Sequence, residues 1–306
     1  MTRSRPGIPQ SSAGWPAALL ALATFSPLPA HAQTTFSGGL EMRSGDYGRS
    51  SSTEELRLPF AIRHATGSWV LRAGADFSRV QGVANAIERE ARRTADPTLS
   101  PDDDDDDDDD DNSGGGGGGG GGPAISAADA ARTATGLGDG QFSAFYKALS
   151  PAEAGFGLEV GGRMKVPLSS ADECFITNGE IDYSVEARVS RPVGRVEPSF
   201  TLGWTKRGDP VRRDSLCQPI GNRRVDFRDP FYFGIGVGAD LSAMTTLDID
   251  YFYREKLLPQ SAPLSLLRAT VQFRLSDLMR LGVYGATGFT DASPDWILGT
   301  SVGVRF

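Results

Sequence analysis

Twelve times between Phe36 and Phe306 the sequence falls into an alternation of apolar with polar or small residues. The last instance is the clearest. Trp296, Leu298, Thr300, Val302, Val304 and Phe306 fall on one side, and Ile297, Gly299, Ser301, Gly303 and Arg305 on the other. A period of two is the signature of a strand. The twelve segments are Phe36–Asp46, Thr53–His64, Trp69–Val80, Asp139–Leu149, Gly155–Val166, Gly179–Ser190, Arg195–Lys206, Pro230–Leu241, Thr245–Glu255, Leu264–Ser276, Met279–Phe289 and Trp296–Phe306. The fourth is the least regular. Pro59 weakens the second locally, because it cannot donate to a ladder.

The connections sort by parity. Even ones are short: Ala65–Ser68, Ser150–Ala154, Arg191–Gly194, Ser242–Met244 and Asp277–Leu278. Odd ones are longer: Tyr47–Ser52, Gln81–Gly138, Pro167–Asn178, Arg207–Asp229, Lys256–Pro263 and Thr290–Pro294. A soluble sandwich has no reason to sort its loops this way, whereas a transmembrane barrel has tight periplasmic turns and long external loops. Segments of about ten to twelve residues, tilted near 40°, span a thin hydrocarbon layer. The expected fold is therefore all-β: a single 12-stranded antiparallel transmembrane β-barrel.

The faces agree. The polar face carries Arg57, Arg72, Glu159, Arg163, Lys165, Asp182, Glu186, Arg188, Asp248, Asp250, Arg254, Arg268 and Arg274, with Glu41 and Glu55 beside them. A soluble core could not hold such charges unpaired. On the apolar face Trp69, Phe156 and Phe306 gather toward the short turns, and Tyr183, Trp204, Phe231, Tyr253 and Trp296 toward the long loops. Two aromatic girdles at two interfaces are expected of a membrane barrel.

The amino terminus specifies export. Arg3 and Arg5 precede an apolar run from Trp15 to Phe25, and Ala30-His31-Ala32 offers a small-x-small cleavage site. Residues 1–32 read as a signal peptide, leaving 33–306 as the barrel. The net charge of −8 misleads, because ten acidic charges sit in Asp102–Asp111 and the rest of the chain carries +2. No basic run points to nucleic acid.

The carboxy-terminal half carries a resemblance. Phe231-Tyr-Phe-Gly-Ile-Gly-Val-Gly-Ala-Asp-Leu-Ser242, Thr246-Leu-Asp-Ile-Asp-Tyr-Phe-Tyr-Arg254, Gly288-Phe-Thr-Asp-Ala-Ser-Pro-Asp-Trp296 and the ending Val304-Arg-Phe306 are similar to a proteobacterial outer-membrane transporter family. Its members are labelled meta-pathway phenol-degradation outer-membrane proteins. Gly136-Leu-Gly-Asp139 also resembles that group. The resemblance covers mainly residues 136–306. It implies the bacterial outer membrane as location and uptake of small hydrophobic or aromatic compounds. It also implies Phe306 as a sorting signal for the barrel-assembly machinery. The insertion at 82–135 departs from the family.

That insertion holds the Asp102–Asp111 run and the Gly114–Gly122 run. A calcium loop spaces its carboxylates and places single glycines at turns, so ten consecutive Asp read as a solvated external tract. Diffuse cation association, or association with metal bound to lipopolysaccharide, is the alternative. Val83–Ala95 and Ala124–Ala134 have helical composition and are expected as short helices at the pore mouth. Cys174 and Cys217 lie on adjacent long loops and are either a disulfide clamp or two free thiols.

The lumen charges have two readings, a selectivity field that orients a solute or a mutually paired network that fills a narrow interior. Their mixed signs predict no strong ion selectivity. After the leader the one histidine is His64, with its phase toward lipid, and the one Gly-x-Ser-x-Gly, Gly299-Thr-Ser-Val-Gly303, lies inside the closing alternating segment and not at a strand-to-helix turn. No nucleophile–base pair, Cys-x-x-Cys or His pair is present, so no catalysis, metal or cofactor is expected. The expected function is passage of a small solute through the outer membrane, in contact with outer-membrane lipid and lipopolysaccharide. The rivals are a closed barrel that binds a partner through its external loops and an outer-membrane hydrolase.

Overall fold

The computed structural model describes residues 32–47, 51–82, 84, 86, 89, 132–169, 174–213 and 217–306. The expected leader up to residue 31 and the Asp and Gly tracts lie outside the described residues. Fifteen strands are described: β1 Gln33–Gly45, β2 Thr53–Thr66, β3 Trp69–Gly82, β4 Arg132–Leu137, β5 Asp139–Leu149, β6 Gly157–Pro167, β7 Asp182–Ser190, β8 Val196–Lys206, β9 Val211–Arg213, β10 Pro219–Arg224, β11 Phe231–Ser242, β12 Thr245–Arg254, β13 Leu264–Arg274, β14 Met279–Gly288 and β15 Trp296–Arg305. Each barrel strand pairs antiparallel with its neighbours in sequence, and β15 closes the ring on β1 from Thr35↔Arg305 to Ser44↔Trp296. β9 and β10 form a separate hairpin inside the β8–β11 connection.

The ring has twelve positions because β4 and β5 together make one wall strand. β3 pairs Phe77↔Leu137 in one register and Gly74↔Gln141 in a register shifted by one residue. The break is at Gly138, whose N–H donates to the Asp76 carbonyl at 2.7 Å. A one-residue bulge turns the following side chains over. Thr133, Thr135 and Leu137 are exposed before it, and Phe142, Ala144 and Tyr146 after it. The fourth segment itself, Asp139–Leu149, is irregular at its end, where its register against β6 shifts between Lys147 and Leu149 and residues 146–149 are all exposed.

Short turns gather at one end of the barrel. Thr66 and Trp69 pair across Gly67-Ser68, where Gly67 has φ +55°, the glycine-first pattern of a tight hairpin. β11 and β12 are also joined by two residues, 243–244. The long connections meet at the other end. Among them, the bonded Cys174 and Cys217 (Cα–Cα 5.5 Å) join the β6–β7 and β8–β11 connections. Cys174 and Phe175 pack on Val80. The Ala86 N–H donates to the Cys174 carbonyl at 2.6 Å, and Arg89 donates to the Phe175 carbonyl at 2.5 Å. Of the helix expected over Val83–Ala95, Ala86 and Arg89 are helical, Ala84 is not, and the rest lies outside the described residues. The second expected helix, Ala124–Ala134, needs correction at its end. Arg132, Thr133 and Ala134 open β4, because they find ladder partners on β3.

Burial is inverted relative to a soluble protein. In β2, Leu56, Leu58, Phe60 and Ile62 are exposed, while Glu55, Arg57 and Ala61 on the alternate face are buried. A continuous apolar belt of this kind is stable only against lipid. Trp69 and Phe306 at the short-turn end, and Tyr183, Phe231 and Trp296 toward the long loops, are all exposed on that outer surface.

Candidate functional site

Among the described residues the interior brings most of the strands' charged side chains together, and its two halves differ. In the half toward the long loops the charges are buried and paired. Arg57, on β2, reaches Asp76 on β3 at 2.5 and 3.0 Å, Glu41 on β1 at 3.5 Å and Glu55 at 3.6 Å. Arg43 pairs with Glu41, and Ser78 donates to Asp76. Across the barrel, Lys165 lies 3.0 Å from Asp182 and 3.5 Å from Asp139, and Arg207 lies 3.0 Å from Asp182. Arg163 pairs with Glu186 at 2.9 Å and lies 5.6 Å from the Phe145 ring centroid. At the rim, burial works to raise the Asp229 carboxyl. The Lys206 ammonium (2.7 Å) and the Arg207 N–H (2.9 Å) overcome it and hold the group below its ordinary value.

One arrangement occurs twice. Glu186, Gly203 and Tyr232 are register neighbours on β7, β8 and β11. Glu41, Gly299 and Tyr284 are register neighbours on β1, β15 and β14. In each case the tyrosine ring lies over the glycine and its hydroxyl donates to the glutamate, at 2.8 Å to Glu186 and 2.9 Å to Glu41. A Cβ at Gly203 or Gly299 would strike the ring. The glycine therefore permits an aromatic side chain to cross a strand and deliver a hydroxyl to a buried carboxylate. Gly299→Val is expected to cost about 1–3 kcal/mol through overpacking, seen as a lower urea midpoint of the refolded barrel. Gly303→Ala, whose Cβ would meet Thr35 at an ordinary 3.7 Å, should move that midpoint by less than about 0.5 kcal/mol.

The half toward the short turns is hollow. Two cavities, of about 450 and 530 Å³, share Gln272 and Arg280. The smaller lies against β1–β3 and β13–β15, with Arg63, Arg72, Arg268, Arg280 and Arg305 in its wall and Asp277 as its acidic residue. The larger lies against β5–β8 and β11–β13. Its wall is mixed: Lys147, Arg188, Arg195 and Arg280 face Glu159, Glu197, Asp240, Asp248 and Asp250.

The fold is shared with a solved outer-membrane channel. The COG4313 outer membrane channel from Pseudomonas putida F1 matches at a TM-score of 0.62 and 12% identity, over 93% of this chain and 98% of that one. At that identity the likeness shows the fold. The NanC porin (TM-score 0.49, 9% identity, 89% and 98% covered) and the KdgM porin (0.48, 8%, 89% and 99%) are weaker likenesses. No family model matches the chain. No curated protein matches it either.

The thirteen charged candidates divide among these places. Arg57, Arg163, Lys165, Asp182 and Glu186 belong to the buried pairs. Arg254 is buried between its register partners Tyr232 and Leu264. Arg268 lies 5.6 Å from the Tyr284 ring centroid and opposite Asp250 in register. Arg72 faces the smaller cavity, and Glu159, Arg188, Asp248 and Asp250 the larger. Glu159 lies 3.7 Å from Lys147, Arg188 donates to Ser199 at 3.3 Å, and Asp248 accepts from Gln272 at 3.4 Å. Arg274 is exposed opposite Arg280 and lines neither cavity. Phe306 is exposed, with its N–H donating to the Thr34 carbonyl at 2.8 Å.

Asp76, Tyr284, Arg280 and Arg207 were not among the candidates. Asp76 sits in phase with Arg72 on the same segment, so alternation alone could have found it, whereas the segment of Arg280 held no candidate to point to it. Arg207 and Asn178, which accepts from Lys165 at 3.1 Å, come from connections with no period to follow.

Proposed function

We propose that this barrel sits in the bacterial outer membrane and admits a small solute, with the short turns periplasmic and the long loops external. The carrying observation is the hollow, polar half of the interior. A barrel built only to be rigid gains nothing from two cavities of about 450 and 530 Å³ lined by charged residues. Their volumes are those of small-molecule sites. Hydrophobic or aromatic compounds are the solute class that the sequence resemblance of residues 136–306 favours. The leader at residues 1–32 would deliver the chain to the periplasm, and the exposed terminal Phe306 would present the strand that the assembly machinery reads.

A second reading rests on a specific observation. Among the described residues the half toward the long loops carries buried ion pairs, with Glu41, Arg43, Arg57 and Arg254 buried, as in a closed barrel that acts through its external loops. Single-channel recording of the refolded full chain separates the two. Discrete conductance steps are expected, and their absence across repeated insertions would sink the channel reading.

A further inference from the structure

The connection between β6 and β7 is held against the inside of the ring. Cys174 and Phe175 pack on Val80, which shares the buried, inward face of β3 with Asp76 and Ser78. Thr177 donates to Asp139, the first residue of β5, at 2.6 Å. Asn178 accepts from Lys165 of β6 at 3.1 Å, and the same Lys165 reaches Asp139 and Asp182. Three successive wall positions thus grip one segment by their inner faces. Connections usually run over a protein's surface, but here Cys174, Phe175, Thr177 and Asn178 are all buried. The segment also satisfies its own backbone: the Gly179 and Glu180 N–H groups donate to the Thr177 and Asn178 side chains at 3.0 and 2.9 Å. Gly179, at φ +79°, turns the chain back toward β7. The other end of the disulfide is less at ease. Cys217 has φ +62°, a left-handed conformation that costs a residue with a Cβ energy and persists only where its surroundings impose it. The bond to Cys174, and Arg213 donating to the Cys217 carbonyl at 2.7 Å, are what hold it there.

We propose that residues 174–180 are a gate at the long-loop end of the lumen, and that the Cys174–Cys217 bond is its latch. The two cavities lie in the short-turn half, so a solute entering from the long loops meets this segment before it reaches them. With the bond intact, the segment is tied to the β8–β11 connection and pressed on the inner wall. With the bond cut, Cys217 relaxes out of its left-handed conformation and the segment keeps only its packing on Val80 and its hydrogen bonds to Asp139 and Lys165. So few contacts place a loop at the low-stability end of a structure, where local opening is frequent. The inference adds a gate to the channel proposed above and rests on that reading.

The test records single channels of the refolded full chain, first oxidised and then with a thiol reductant. The fraction of time open should rise at least about threefold on reduction, as the equilibrium shifts toward the released segment. The Cys174→Ser, Cys217→Ser chain should start at that higher level and ignore the reductant. Asn178→Ala, with the bond intact, removes the attachment to Lys165 and should raise the open fraction by less. Gly194→Ala strains a short turn at φ +66°, at the opposite end of the barrel. It should lower stability and leave the open fraction unchanged, which separates gating from general loosening. Hydrogen exchange follows the segment without requiring conduction: the amides of 174–180 should exchange faster on reduction while those of β6 and β7 keep their protection. Heat-modifiable gel migration checks that each variant is folded; if the double serine variant fails, reduction of the wild type and Asn178→Ala decide. Equal, non-zero open fractions in the oxidised and reduced states overturn the gate and leave the channel standing. Conductance absent in both states overturns the channel and the gate with it, while faster exchange on reduction would still support the latch. Exchange that does not change on reduction overturns the latch.

Discussion

Replacing Arg57 with Met is expected to lower the unfolding free energy of the refolded barrel by about 3–5 kcal/mol, the range for removing one partner of a buried ion pair. Arg57 is the shared cation of three carboxylates: Asp76 at 2.5 Å, Glu41 at 3.5 Å and Glu55 at 3.6 Å. Glu41, Glu55 and Asp76 are all buried, so without the guanidinium they lose their common counter-charge where water cannot replace it. Asp76→Asn should cost less, because Arg57 keeps two carboxylates within reach. Equilibrium urea unfolding in lipid vesicles, followed by tryptophan fluorescence, measures both. A loss at Arg57→Met no larger than at Asp76→Asn would show that the cluster is not organised around this arginine.

Replacing both cysteines with serine is expected to lower stability by about 2–4 kcal/mol. The bond joins residues 43 apart in sequence, and the chain-entropy model gives about 4 kcal/mol for a loop of that length as the upper end. Its removal also frees the contact of Cys174 and Phe175 with Val80 and the docking of Ala86 and Arg89. The urea midpoint of the wild type should therefore fall when a thiol reductant is added. The midpoint of the Cys174→Ser, Cys217→Ser chain should not respond. Limited proteolysis of the reduced wild type should cut first within residues 168–181 or 207–230. Identical midpoints for wild type with and without reductant would exclude a stabilising role for the bond.

Much of the wall was legible in the sequence because strand periodicity is local. Leu56, Leu58, Phe60 and Ile62 announce one face of β2, and Arg57 and Arg63 the other, without knowledge of any neighbour. Irregularity was legible too, but not its cause. The fourth segment loses phase at its end because its register against β6 shifts between Lys147 and Leu149, and the break before it, where Gly138 bonds Asp76 on β3, depends on a strand more than fifty residues earlier. The inner face of the last strand makes the same point. In the sequence its glycines are only small residues on the polar side. The space beside Gly299 is taken by the Tyr284 ring, which carries its hydroxyl on to Glu41.

By itself, then, the sequence determined the twelve positions of the ring and the parity of the loops, but not β4 or the β9–β10 hairpin, since the ring follows from alternation and from the length of a connection. Only the tertiary structure decided which inward charges meet. Arg63 and Arg72 lie near one end of the chain and Arg268, Arg280 and Arg305 near the other. They share a cavity because β15 closes on β1. Ring closure joins the two most distant parts of the chain, so the chemistry inside a barrel depends on contacts of maximal sequence separation.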